Sequence, residues 1–383
     1  MNHDNFCVFP FIQIVSRTNS NLIPCCSMGS LSNLNLQYTT LDEYWNSQSV
    51  KDIQQQMLYG KSAIKECRKC KQDETNFGSS MRTDALRDYG FDSADLYEQE
   101  LSNKGWLDAK SPTRLEIHVG NTCNLKCLTC CPRDSSMFLD EDRRLNISNY
   151  RQKDFSYSED QINEIFDFVN SHNIDILDLR GGESMLIPLI KNRLLSMPEK
   201  TYKNTKLRVQ TNGTLYNEHW KNIFEKFHNI EIMISIDGFG PVNEYVRFPS
   251  NWVEIDENVD HFRSHNPGNM YINTVVSNIS VLRLDELLAW CYEKNVYCHL
   301  SPLTNPEIFK FTNLPVDLLE QAKQKLKQFE HHPGVQSLFE AEHEFDPVRW
   351  SKFCSMIDRR DQYRQNRIFN IYPEMKQFWD PNQ

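Results

Sequence analysis

Residues 114–136 read RLEIHVGNTCNLKCLTCCPRDSS, and the fold is decided here. The apolar alternation predicts a strand over Leu115–Val119, after which Cys123, Cys127 and Cys130 fall on a loop at the strand's carboxyl end. That end of a strand is where α/β barrels keep their active sites. Working outward, further strands are expected at Ile174–Leu179, Leu207–Gln210, Ile230–Ile236, Met270–Val276 and Val296–Leu300. Amphipathic stretches of helical length lie between them, among them SEDQINEIFDFVNSH (158–172) and VLRLDELLAWCYEK (281–294). Repeated β–α units joined by short connections imply parallel strands with right-handed crossovers. The expected class is therefore α/β. Six units over residues 113–303 fit a partial, open (β/α)6 barrel, with a flavodoxin-like sheet as the competing topology.

Composition narrows the function. Lys plus Arg number 42 against 52 Asp plus Glu, a formal charge of -10, which argues against a nucleic-acid binder working by bulk electrostatics. The apolar run Phe6–Val15 is interrupted by Pro10, lacks a basic flank and is too short to span a bilayer. A cytoplasmic protein without a membrane partner is expected. Its twelve cysteines group as CC, CxxC and CxxxCxxCC, spacings that in a reducing compartment belong to metal ligands more often than to disulfides.

Three thiolates on a four-iron cubane leave one iron without a protein ligand, so a cofactor or substrate can chelate there; ordinary ferredoxins close every site with cysteine. At this spacing, CxxxCxxC resembles the signature of the radical S-adenosylmethionine (radical SAM) superfamily. The resemblance implies a 4Fe–4S cluster on Cys123, Cys127 and Cys130, with the cofactor's amino and carboxylate groups on the open iron. It further implies reductive cleavage of S-adenosylmethionine to a 5′-deoxyadenosyl radical that abstracts hydrogen from substrate. A low-potential electron donor such as flavodoxin or ferredoxin is then expected as a partner. Thr129 stands where the superfamily usually has an aromatic residue, and the x3–x2 spacing selects Cys130 over its neighbour Cys131.

Later strands end in polar clusters. LDLRGGESML places Gly181, Gly182 and Glu183 where the superfamily has a GGE-type turn implied to bind the cofactor's amino group. Glycines there permit positive φ and close backbone approach, and a plain strand-to-helix turn is the bland alternative. The resemblance puts Ser235 and Asp237 near the cofactor's ribose or carboxylate. Arg247 is able to pair bidentately with the methionine carboxylate, and Asn212 and Asn273 to line the substrate side. Polar strand ends are also commonplace caps and turns.

The first 90 residues have another character. IQIVSRTNSNLIPCC (12–26) reads as a hairpin, and LDEYWNSQSVKDIQQQMLYGK (41–61) as one helix with Gly60 at its C-cap. A cysteine, a hairpin, CC, this helix and then ECRKC resemble a twitch domain, the half-sized form of the SPASM module, here preceding the barrel. The resemblance implies that Cys7, Cys25, Cys67 and Cys70 close an auxiliary 4Fe–4S cluster. Cys26 is an alternative to Cys25, and four thiolates also suit a structural zinc. The expected domains are 1–90 (twitch), 91–112 (linker), 113–303 (partial barrel) and 304–383 (helical C-terminal extension). Cys291, Cys298 and Cys354 read as buried core thiols. The arginine-rich IDRRDQYRQNRIFNIYPEM (357–375) reads as a solvated helix face, with a clamp for an anionic substrate as the alternative.

The expected function is hydrogen abstraction from a peptide or small-molecule substrate. The competing class is a non-catalytic zinc or iron–sulfur binding or electron-transfer protein.

Overall fold

A computed structural model describes residues 5–29, 34–60, 64–91, 96–147, 155–265 and 269–379. The fold is α/β with mostly parallel strands, and the chain divides into two compact units.

The first unit comprises residues 1–121, 154–209 and 222–230. Its strands are β1 (Gln13–Ser16), β2 (Leu22–Ile23), β3 (Arg114–His118), β4 (Ile176–Arg180) and β5 (Lys206–Thr211, entering the second unit at residue 210). The hairpin is present: Val15 faces Ile23 in an antiparallel pair. Unforeseen from the sequence, β1 also pairs in parallel with β3, Ile14 opposite Leu115, so the hairpin belongs to the sheet. β3, β4 and β5 follow in parallel register. Strand alternation explains the two faces: Leu115, Ile117, Leu177 and Leu179 are fully buried, while Glu116 and Asp178 lie on the opposite face among Arg114 and Arg180.

The expected helix over 41–61 is two helices, Leu41–Trp45 and Gln48–Tyr59. Asn46 Nδ2 donates to the Asp42 carbonyl and ends the first, while the Ser47 hydroxyl accepts from Val50 N–H and starts the second. Gly60 caps the second as expected. Glu159–Ser171 opens with a reciprocal capping box between Ser158 and Gln161. A core of Phe6, Val8, Phe11, Ile12, Ile53, Met57, Phe91 and Leu101 packs the N-terminal segments together and includes Cys7 and Cys25.

The second unit comprises residues 122–153, 210–221 and 231–383. It holds the cysteine loop and three parallel strands in order, β6 (Ile230–Ser235), β7 (Met270–Val276) and β8 (Tyr297–Pro302). Cys291, Cys298 and Cys354 are buried. After β8 the described chain is helical, the longest helix being Pro347–Arg364. No described helix is long and apolar enough to cross a membrane.

Candidate functional site

In the second unit the loop carrying Cys123, Cys127 and Cys130 is held by its own backbone. Lys126 N–H donates to the Phe248 carbonyl at 2.8 Å and Leu128 N–H to the Val246 carbonyl at 2.7 Å, which ties the loop to the segment that carries Arg247. Cys127 is buried, and Cys123 and Cys130 are partly so.

Donors surround the sulfurs. Leu125 N–H lies 3.5 Å from Cys123 Sγ, Asn212 Nδ2 4.0 Å from the same atom, and Arg247 Nη1 3.9 Å from Cys127 Sγ. N–H groups aimed at sulfur stabilise thiolate more than thiol, so this donor set fits cysteines that ligate iron. Without metal, burial pushes the Cys127 thiol up despite the Arg247 cation, and pushes Cys130 well above the ordinary thiol value. A cluster held on this loop would therefore displace protons as it gained its ligands. Cys131 points elsewhere, its sulfur 3.0 Å from Asp134 Oδ2.

Of the other residues picked from the sequence, Asn212, Ser235, Asp237 and Arg247 are all buried in this unit. Asn212 Nδ2 donates to Asn124 Oδ1 at 2.8 Å, on the cysteine loop itself. Asp237 Oδ1 accepts from Val275 N–H at 2.8 Å, and Oδ2 lies 2.9 Å from Arg247 Nε, a charge contact without hydrogen-bond alignment. Burial works against the Arg247 charge, but Asp237 and Cys127 more than offset it and keep the guanidinium a cation. Ser235 Oγ accepts from Gln210 Nε2 at 3.4 Å, and Asn273 Oδ1 from Ser301 Oγ at 3.2 Å.

Gly181, Gly182 and Glu183 belong to the first unit. Gly181 has φ +114°, and a Cβ there would stand 2.8 Å from Val119 N and 2.9 Å from Gly120 O. Gly182 N–H donates to Gly120 O at 3.0 Å, and the buried Glu183 caps the short 3-10 turn Ser184–Leu186 by accepting from Met185 N–H. The end of β4 is thus pressed against the chain leaving β3.

The four N-terminal cysteines converge. Cys7, Cys25, Cys67 and Cys70 line one small open cavity together with Arg82 and Lys71. Cys26 is not among the lining residues, and its sulfur lies 3.7 Å from Met81 Sδ. Burial pushes the Cys7 thiol up to about 12 and the Cys67 thiol up to about 11. Ser27 N–H lies 3.4 Å from Cys25 Sγ, and Arg82 is fixed by Glu74 and by the Phe6 carbonyl, which it reaches at 2.9 Å. Four sulfurs and a fixed cation suit an anionic thiolate-bound centre. Among the described residues no three His, Cys, Asp or Glu side chains stand close enough to hold a single metal ion.

The arginine-rich C-terminal segment corrects the sequence reading. Arg360 and Arg364 are buried, and both pair with Glu141 on the helix that follows the cysteine loop, so this face is not solvated. Charge pattern along one helix carries no information on acids more than 200 residues earlier in the chain. Lys126, Glu141 and Arg364 were therefore missed.

Comparisons complete the picture. The sequence model of the Radical SAM superfamily matches residues 117–291. No curated protein matches the chain. Among solved structures, the chain is similar to native anSMEcpe with bound AdoMet at 18% identity and TM-score 0.42, over 57% of this chain and 61% of that one. It is similar to Streptococcus suis SuiB bound to S-adenosylmethionine at 18% identity and TM-score 0.40, over 76% and 60%. SuiB bound to precursor peptide SuiA gives 15% identity and TM-score 0.38, over 78% and 58%. The chain spans about three fifths of the length of these three structures. The CxxxCxxC loop and its donors lie inside the segment, residues 117–291, that matches the Radical SAM superfamily model.

Proposed function

We propose that this chain is an enzyme that cleaves S-adenosylmethionine reductively and uses the product radical to abstract hydrogen from a peptide or small-molecule substrate. The observation that carries the reading is the Cys123–Cys130 loop, where the thiol of Cys123 is met by Leu125 N–H and Asn212 and that of Cys127 by Arg247, inside the matched segment. A 4Fe–4S cluster, when bound, supplies the electron that breaks the cofactor's C5′–S bond to give the 5′-deoxyadenosyl radical.

The chain's own residues do the rest. Cys123, Cys127 and Cys130 would hold three irons, leaving the fourth for the cofactor. Gly181, Gly182 and Glu183 would receive its amino group, a role that the positive φ of Gly181 and the buried carboxylate of Glu183 are compatible with. Arg247, kept cationic by Asp237, would face the cofactor's carboxylate as well as Cys127. Ser235 would serve the ribose, with Asn212 and Asn273 on the substrate side.

The cavity of Cys7, Cys25, Cys67 and Cys70 would hold a second 4Fe–4S cluster, fully ligated and so suited to electron transfer or pocket organisation and not to chelating substrate. This makes the first 90 residues a twitch-type module ahead of the barrel, with 304–383 as an extension. The electron would come from flavodoxin or ferredoxin.

The test is anaerobic reconstitution with iron and sulfide, followed by reduction in the presence of S-adenosylmethionine. Formation of 5′-deoxyadenosine supports the reading. Undiminished formation by Cys123→Ala, Cys127→Ala or Cys130→Ala overturns it.

A further inference from the structure

The loop that presents Cys127 is gripped from the far end of the chain. Lys126 immediately precedes Cys127, and its carbonyl accepts from Arg364 Nη2 at 2.6 Å. The Arg364 Nε lies 3.1 and 3.0 Å from the two carboxylate oxygens of Glu141, and its Nη2 reaches Glu141 Oε1 at 2.8 Å. Glu141 Oε2 in turn lies 3.0 Å from the Lys126 ammonium. Arg360 pairs with Glu141 and Asp142. One residue earlier in the loop, the Leu125 carbonyl accepts from Ser135 Oγ at 2.6 Å, and Ser135 caps the helix Ser136–Leu145 that carries Glu141.

Glu141 is 0% exposed, Arg360 2% and Arg364 8%. Apolar residues of like volume often replace such buried ion networks without loss of stability, so stability alone is a weak reason for five charges here. What an apolar replacement would not supply is the guanidinium fork, which holds a carboxylate and a loop carbonyl at once. The ring of Phe248 completes the clasp: Arg364 stands 5.2 Å and Lys126 5.3 Å from its centroid, and the Phe248 carbonyl takes Lys126 N–H.

We infer that Arg364, held by Glu141, is a positioning residue that fixes where Cys127 presents its sulfur and adds positive charge beside that ligand. The C-terminal helix Pro347–Arg364 is thereby part of the cofactor machinery. The inference rests on the proposed function, because it takes the loop to be the cluster loop. A nearby cation stabilises the reduced, more negative cluster, so losing Arg364 makes reduction harder.

The experiment uses the full chain, reconstituted anaerobically, as wild type and as Arg364→Gln, Arg364→Lys and Cys127→Ala. The signal that Cys127→Ala lacks is taken as the loop cluster, and its loss to a chelator and its midpoint potential are read for each. Arg364→Gln is expected to lose its cluster on the order of 10-fold faster than wild type, with a potential shifted to more negative values. Arg364→Lys keeps the charge without the fork, so it loses cluster faster than wild type at a near-normal potential. Wild-type chelator kinetics and potential in Arg364→Gln overturn the inference. Should that variant not fold, Arg364→Lys decides: faster cluster loss supports the inference and wild-type kinetics overturn it. An unchanged cluster in Cys127→Ala defeats the proposed function itself, whatever the Arg364 variants do.

Discussion

Arg247 directs Nη1 at the sulfur of Cys127 from 3.9 Å while its Nε stands 2.9 Å from Asp237 Oδ2, and all three residues are buried. One guanidinium therefore serves a carboxylate and a thiol at once. Arg247→Met strands Asp237 in the interior without its counter-charge and is expected to cost about 3–5 kcal/mol. Adding Asp237→Asn recovers much of that, because the amide oxygen still accepts from Val275 N–H. Urea denaturation of the single and double variants measures the coupling, and strict additivity would remove it.

Iron content reports on the N-terminal cavity. With two cubanes the reconstituted chain carries about eight irons, and Cys7→Ser or Cys70→Ser brings this down to about four. About four irons with one zinc in the unaltered chain replaces the auxiliary cluster with a structural zinc.

On the proposed reading of that cavity as an auxiliary site, its metal uptake depends on pH in a fixed direction. Burial raises the thiols of Cys7, to about 12, Cys67, to about 11, and Cys70, so all three keep their protons at neutral pH and give them up on ligation. Apparent affinity falls as pH falls throughout the range below about 11. Cobalt(II) titrations of the metal-free chain in buffers of different protonation enthalpy count the released protons, and Cys67→Ala lowers the count.

Glu74 contributes to acid stability. Burial would raise its carboxyl, but a bidentate contact from Arg82 and a hydrogen bond from Ser80 outweigh burial and hold it at about 2. A depressed value in the folded chain means that the contribution is complete above the unfolded value of about 4.3 and disappears as pH drops toward about 2. Glu74→Gln removes on the order of 2 kcal/mol at neutral pH and flattens this acid limb, as read from denaturation midpoints across the range.

Gly181→Ala is expected to destabilise by about 1–3 kcal/mol, since a Cβ at φ +114° meets the backbone of Val119 and Gly120. Gly78→Ala, also at positive φ but with open space around it, costs less in the same denaturation assay.

Strand positions and the cysteine loop were legible because they are local. Leu115, Ile117, Leu177 and Leu179 alternate with polar residues, and the spacing of Cys123, Cys127 and Cys130 is a chemical statement in itself. The hairpin turn was legible for the same reason. Less visible was anything set by a single cap: Asn46 and Ser47 break a helix whose apolar spacing runs straight through them. Out of reach were pairings across the chain. β1 beside β3 and Arg364 beside Lys126 each join segments about 100 or more residues apart, and neither leaves a periodic trace.

The parallel pairing of β1 with β3 has a bearing on biosynthesis. Residues 13–16 find their parallel neighbours only when residues 114–117 exist, and the apolar core around Cys7 and Cys25 also draws on Leu101. A nascent chain emerging from the ribosome thus carries its first strand for about a hundred residues before the parallel partner of that strand is made. Removing residues 13–16 would cost the sheet a strand, and with it the edge against which β3 aligns.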